Sequence, residues 1–274
     1  MKYKIIYSVV VHESPECFFD MLANVYLANM NQSIFLVVNC NHYMYRELNK
    51  LIQLNIDDKD RFIINPNHYD KKLFTKDLLR AHMQNFDYIK EKGYEFDYYC
   101  LLASNCLFIK QFNIKEIEDL IYKPTIYTQQ FENHLNGWDF EGKVFRNKAF
   151  IQFCRKNSLK ILFNHHEGAI YRYEVFEQII QYIRRNQLLK KIQTRVPVEE
   201  LLFPMIENLI CNAMNPRICK IYWKRKNYTP LIEDIEREEN YMVKRVDRKI
   251  DDRLRLYIRY RWIKKMKQIE NVSI

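Results

Sequence analysis

The sequence predicts an α/β fold, a mostly parallel Rossmann-like sheet flanked by helices, on three observations. Apolar, β-branched runs of strand length recur along the chain. Each is followed by a stretch with helical spacing, and each stops in a polar turn. Alternation of strand and helix is the pattern of a parallel sheet covered on both faces.

Residues 4–11 form the first run, with Ile5, Ile6, Val9, Val10 and Val11 apolar at nearly every position, as a strand buried on both faces requires. Ser14-Pro15-Glu16 then supplies an N-cap, a preorganised first helical residue and a favourable acid, so a helix to about Ala28 follows. Residues 34–38 make a second buried strand, 43–54 a helix and 61–65 a short strand. A long helix over 72–91 leads into the apolar strand 97–102, which halts at Ala103-Ser104-Asn105-Cys106. Beyond it the pattern predicts helices over 114–121, 173–189, 199–210 and 231–237. Short strands are expected at 161–163, 169–171 and 219–223, with 124–150 irregular and a basic helix from about Asp252.

Composition excludes several classes. Only 4 glycines are present, too few and too scattered to write Gly-x-Gly-x-x-Gly or a Walker loop, so a Rossmann dehydrogenase or P-loop kinase is not expected. The 7 cysteines are odd in number and contain no Cys-x-x-Cys, which predicts free buried thiols and a reducing compartment. The apolar segment at the N-terminus is too short for a signal sequence or membrane span, so a cytoplasmic location is expected.

Right-handed crossovers bring the C-terminal ends of parallel strands to one edge, where ligands of open α/β sheets bind. Three loops are therefore candidates: His12-Glu13-Ser14, Asn39-Cys40-Asn41 and Ser104-Asn105-Cys106. His165-His166-Glu167 has two adjacent histidines that an extended segment points to opposite sides. It reads as pocket lining and not as a metal site. Glu199-Glu200 falls in the first turn of a predicted helix. There a carboxylate either complements the helix end or serves as a general base.

His12-Glu13-Ser14-Pro15-Glu16, the segment 96–109 and Glu199-Glu200-Leu201-Leu202-Phe203-Pro204 stand in an order that resembles the core-2/I-branching β-1,6-N-acetylglucosaminyltransferase and peptide xylosyltransferase family, particularly its bacterial members. Tyr241-Met242-Val243-Lys244-Arg245 resembles that family's phosphate-contacting segment. The resemblance implies a GT-A-like fold and metal-independent, inverting transfer from a UDP-sugar to a glycan or lipid-linked glycan. No other cofactor is implied. It places the base at Glu200, with Glu199 as the fallback. Donor contacts fall to His12, Glu13, Asn39, Asn41, Ser104, Asn105, Lys244 and Arg245, with Lys220 or Lys224 as a second cation, and acceptor contacts to His166 and Glu167. Residues 1–215 would then bind both substrates, and 216–274 would complete the diphosphate site. Cys106 stands where the family has an aspartate, which leaves the sugar open.

The formal charge is +10, and from Lys244 to Lys267 eleven basic residues face three acids. A solvated helix face, a tail packed on the core and a phosphate-contacting surface all accommodate such a run. Two rival functions use it. Arg253, Arg255, Arg259, Arg261 and Lys264 interleaved with Tyr257, Tyr260 and Trp262 suit a nucleic acid, although no nucleic-acid motif is present and no such partner is expected. Alternatively, Leu254, Tyr257, Ile258, Trp262 and Ile263 suit peripheral contact with the anionic inner face of a membrane.

Overall fold

The computed structural model describes residues 2–12, 14–54, 61–68, 76–119, 140–192, 196–213, 217–221, 229–237, 240–244 and 246–272. The elements begin with β1 (Lys2–Val10), α1 (Pro15–Ala28), β2 (Ile34–Asn39), α2 (His42–Leu54), β3 (Phe62–Ile64), α3 (Asp77–Glu91) and β4 (Glu95–Ala103). Then come β5 (Cys106–Phe108), α4 (Lys115–Glu118), α5 (Phe140–Phe145), α6 (Lys148–Lys156), β6 (Ile170–Arg172), α7 (Tyr173–Arg185), α8 (Leu188–Lys191) and α9 (Val198–Cys211). The last are β7 (Cys219–Ile221), α10 (Thr229–Arg237), β8 (Met242–Lys244) and α11 (Arg253–Val272).

The main sheet has the order β3-β2-β1-β4-β6, with the first four strands parallel and β6 antiparallel on β4. The predicted α/β class and mostly parallel sheet are what forms. Period-two alternation divides each central strand between two cores. Ile5, Tyr7 and Val9 of β1 face a layer with Phe18, Met21 and Leu22 of α1 and Ile258 and Trp262 of α11. Ile6 of β1 and Phe35 and Val37 of β2 face Met83 and Phe86 of α3, Phe176 of α7 and Phe203 of α9. Each such side chain taken from water contributes about 2 kcal/mol, so two-sided burial stabilises this order strongly.

Several expected elements differ. After the two-residue turn Ser104-Asn105 the chain re-enters a strand, because Cys106, Leu107 and Phe108 are all buried and β8 offers an edge. A three-stranded sheet β5-β8-β7 results. Residues 161–163 form no strand; the next backbone N–H, that of Asn164, bonds to a helix carbonyl. The helix expected over 173–189 breaks at Gln187, whose φ of 50° is left-handed. Within 124–150, expected to be irregular, residues 140–145 are helical and 148–150 open a helix that runs on to 156. Residues 124–139 lie outside the described set, as do 72–75 at the expected start of α3.

The basic terminal helix packs on the core. Asp252 accepts the N–H groups of Leu254 and Arg255 through Oδ1 at 3.0 and 3.2 Å, and Trp262 donates from Nε1 to the Phe108 carbonyl at 2.9 Å. Arg255 is fully buried, with Nη1 2.5 Å from Asp20 of α1, and Arg259 meets the same carboxylate at 2.8 Å. Leu254, Ile258 and Trp262 are therefore occupied inside the protein and cannot also enter a lipid surface, contrary to the face expected from sequence.

Removing one partner of a buried ion pair strands the other charge. Asp20→Ala is expected to lower the unfolding free energy by about 3 kcal/mol. Urea denaturation followed by far-UV circular dichroism measures this.

Candidate active site

The carboxyl ends of the central strands are level: Val10 of β1 is in register with Asn39 of β2 on one side and Ala103 of β4 on the other. The crevice expected from topology thus has its three strand ends side by side. Ser104 hydrogen-bonds the Val10 carbonyl at 3.3 Å, and both Ser104 and Asn105 are buried. Asn39 is fully buried, its Nδ2 3.4 Å from the Asn67 carbonyl and its Oδ1 without a hydrogen bond. Asn41 caps α2, accepting the Met44 N–H at 2.8 Å. His12 follows β1 and is half-buried. Glu13, Lys224 and Arg245 lie outside the described residues.

Charged groups concentrate one strand further along, where β5 and β8 pair and Cys106 lies opposite Lys244. The Lys244 ammonium makes an ion pair and hydrogen bond with Glu167, which is 1% exposed. His166 lies on the same carboxylate, Nε2 to Oε1, at 3.4 Å. A ligand atom from each of His166, Glu167 and Glu200 falls within 4.8 Å of the other two. Sequence reasoning gave His166 and Glu167 to the acceptor, Glu200 to the proton transfer and Lys244 to the donor; the fold brings all four together. Lys220 is on β7, in register with Val243.

Two backbone devices build this convergence. Pro204 sits inside α9 and has no N–H, so the carbonyl four residues earlier, that of Glu200, loses its helical donor. The Asn164 N–H takes that place at 2.9 Å and ties the 164–168 segment to the first turn of α9. At the other end of the segment Gly168 adopts φ +72°, and a Cβ there would lie 2.7 Å from Cys219 Cβ. Only glycine permits so close an approach to β7 with that backbone. Arg217 braces the turn further, donating to the His165 carbonyl at 2.9 Å while 3.5 Å from buried Glu207.

The protonation states follow from burial and neighbours. Burial lowers His166 and His165 to about 4, so both are neutral near pH 7. Burial would raise the Glu167 carboxyl, but His166 and Lys244 outweigh it and hold the group well below the usual carboxylate range. Because His166 is neutral near pH 7, Lys244 is the partner that keeps Glu167 ionised there. Burial also works to lower Lys244, and the charge of Glu167 more than offsets it. Burial and then the charge of Glu200 push Glu199 well up. Glu199 is 2% exposed with Oε2 unpartnered, surroundings that favour its protonated form. His166, Glu167 and Glu200 are a donor set that suits a divalent cation; Lys244 already supplies positive charge to the same carboxylate.

Sequence reasoning missed the Glu167–Lys244 pair, whose members are 77 residues apart. It also missed a buried polar chain behind the site. Ser8 Oγ lies 2.8 Å from His82 Nδ1 and accepts from Asn85 at 3.0 Å, and the His82 ring meets His166 edge-on at 5.4 Å. A lone serine in the apolar run of β1 was the one available signal.

No family model matches the sequence, and no curated protein sequence matches it. Among solved structures it is similar to the galactosyltransferase LgtC in complex with donor and acceptor sugar analogues, at 10% identity and a TM-score of 0.41 over 90% of this chain and 87% of that one. It is similar to WbbM, a bifunctional glycosyltransferase, at 11% identity and a TM-score of 0.41, covering 89% of this chain and 46% of that one. For TarS of S. aureus the figures are 8% and 0.31, covering 64% and 29%. Superpositions this loose fix neither the reaction nor the substrate of this chain.

Two outcomes test the site's construction. Histidines held neutral at about 4 and free to protonate near 6.5 when unfolded stabilise fully above about pH 6.5, and that stability is lost as pH falls toward about 4. Each is expected to cost about 2 kcal/mol between about pH 7 and pH 5. His166→Gln should remove that residue's share of the slope in urea titrations across that range, making stability less dependent on pH. Pro204→Ala returns a helical donor to the Glu200 carbonyl, and hydrogen exchange at the Asn164 amide is then expected to quicken about tenfold or more.

Proposed function

We propose that the chain is a glycosyltransferase of GT-A-like fold. It moves a sugar from a nucleotide donor, UDP by the family resemblance, to a glycan hydroxyl, with inversion and without a metal ion. The observation that carries this reading is the placing of Glu200, in the first turn of a helix, within reach of the Glu167–Lys244 pair beyond the level strand ends. It supports a reading in which Glu200 is the general base and Lys244 the cation at the edge of the sheet where topology expects a nucleotide.

In this reading Glu200 takes the proton of the acceptor hydroxyl as its oxygen attacks the anomeric carbon. The bond from that carbon to the diphosphate breaks on the opposite face, and the nucleoside diphosphate leaves with the electron pair. Lys244 shifts part of its hydrogen bonding from Glu167 to a diphosphate oxygen, where negative charge develops. Glu167 and His166 are left to hold acceptor hydroxyls, a use suited to a buried carboxylate with one oxygen unpartnered. Residues 216–274 contribute through β8, the strand carrying Lys244.

UDP with EDTA present is expected to raise the melting temperature by several degrees. Glu200→Gln should keep that shift while transfer falls about a hundredfold or more. If no nucleoside diphosphate in a panel moves the melting temperature, or Glu200→Gln transfers sugar at the native rate, the reading is wrong.

A further inference from the structure

The face of α11 that points away from the core is not a simple solvated surface. Helical geometry sets Leu254, Arg255, Ile258 and Trp262 on one side, and all four are buried. The side directly opposite carries Leu256, Tyr260 and Ile263, spaced four and three residues apart and 44%, 64% and 49% exposed. Such spacing makes one apolar stripe. Arg253, Lys264 and Lys267 flank it, all exposed, and from Arg253 to Gln268 no acidic residue occurs. The apolar side chains are thus fringed by one sign of charge.

We propose that this outer face of α11 docks on an anionic phospholipid bilayer. The stripe enters the boundary between headgroups and acyl chains while the flanking cations meet lipid phosphates. Charge complementarity selects this occupant, since a chain with net charge +10 is drawn toward an anionic surface before any apolar group is buried. Two of the three exposed apolar residues are aliphatic and cannot stack on bases, and Trp262, which could, is turned into the core with Nε1 on the Phe108 carbonyl. A nucleic acid would therefore gain phosphate contacts but little stacking. Among the described residues no helix is long and apolar enough to cross a membrane, so the contact is one of lying on the surface. The docked face lies opposite the Asp20–Arg255 contact and is independent of the chemistry at Glu200.

Flotation of the full chain with vesicles tests this. Binding is expected to phosphatidylcholine vesicles containing about one-third phosphatidylglycerol and not to phosphatidylcholine alone. The triple variant Leu256→Ser, Tyr260→Ser, Ile263→Ser should bind about tenfold more weakly with an unchanged melting temperature, since these side chains are exposed. Lys264→Glu with Lys267→Glu should lose binding to a similar degree, and Glu200→Gln should float as the native chain does. Full binding by the serine variant would overturn the proposal, as would equal binding to neutral vesicles. So would failure to float with anionic vesicles combined with salt-sensitive binding to a single-stranded oligonucleotide.

Discussion

The buried ion pair between Glu167 and Lys244 is the contact on which the candidate site depends. Withdrawing a carboxylate and an ammonium from water costs several kcal/mol each, and their mutual attraction offsets it only when both are held in place. The holding is done by backbone. Lys244 is fixed by β8, which pairs with β5 on one side and β7 on the other. Glu167 is fixed by Gly168 against β7 and β4, and by Asn164 against α9. The same bonds that place the pair place Glu200 beside it, so the electrostatics and the geometry of the site have one origin.

That origin lies in the sheet. Because β1 is buried on both faces, its register with β2 and β4 is specified by every side chain along it, and a slip of one residue would exchange the two cores. Level strand ends are the result. A ligand at that edge meets turns whose backbone is anchored, such as Ser104 on the Val10 carbonyl, and preorganised groups of this kind lose little freedom on binding.

Much of the first half was legible in the sequence because its signals are local. Ser14-Pro15 announces α1, and Ser14 does accept the Cys17 N–H, at 3.4 Å; the apolar runs announce β1, β2 and β4. What was not legible is set by distant partners. Cys106-Leu107-Phe108 becomes a strand only because residues 242–244 come to pair with it. Residues 161–163 look like a strand but pair with no strand among the described residues. The basic helix was read for its charge, yet its inward residues are decided by Asp20, more than two hundred positions earlier. Grouping of the site residues was illegible for the same reason: nothing local in His165-His166-Glu167 indicates an ammonium at residue 244.

Pro204 leaves a consequence for which positions are free to vary. The bond that ties the 164–168 segment to α9 is made by an amide N–H that nearly every amino acid possesses, so the side chain at 164 is immaterial to it. Its acceptor is vacant only because one ring nitrogen four residues downstream carries no hydrogen. Sequence drift at Asn164 would therefore be silent for the tie, whereas any replacement of Pro204 offers the carbonyl back to the helix. A residue that never touches a substrate thus sets the alignment of those that would.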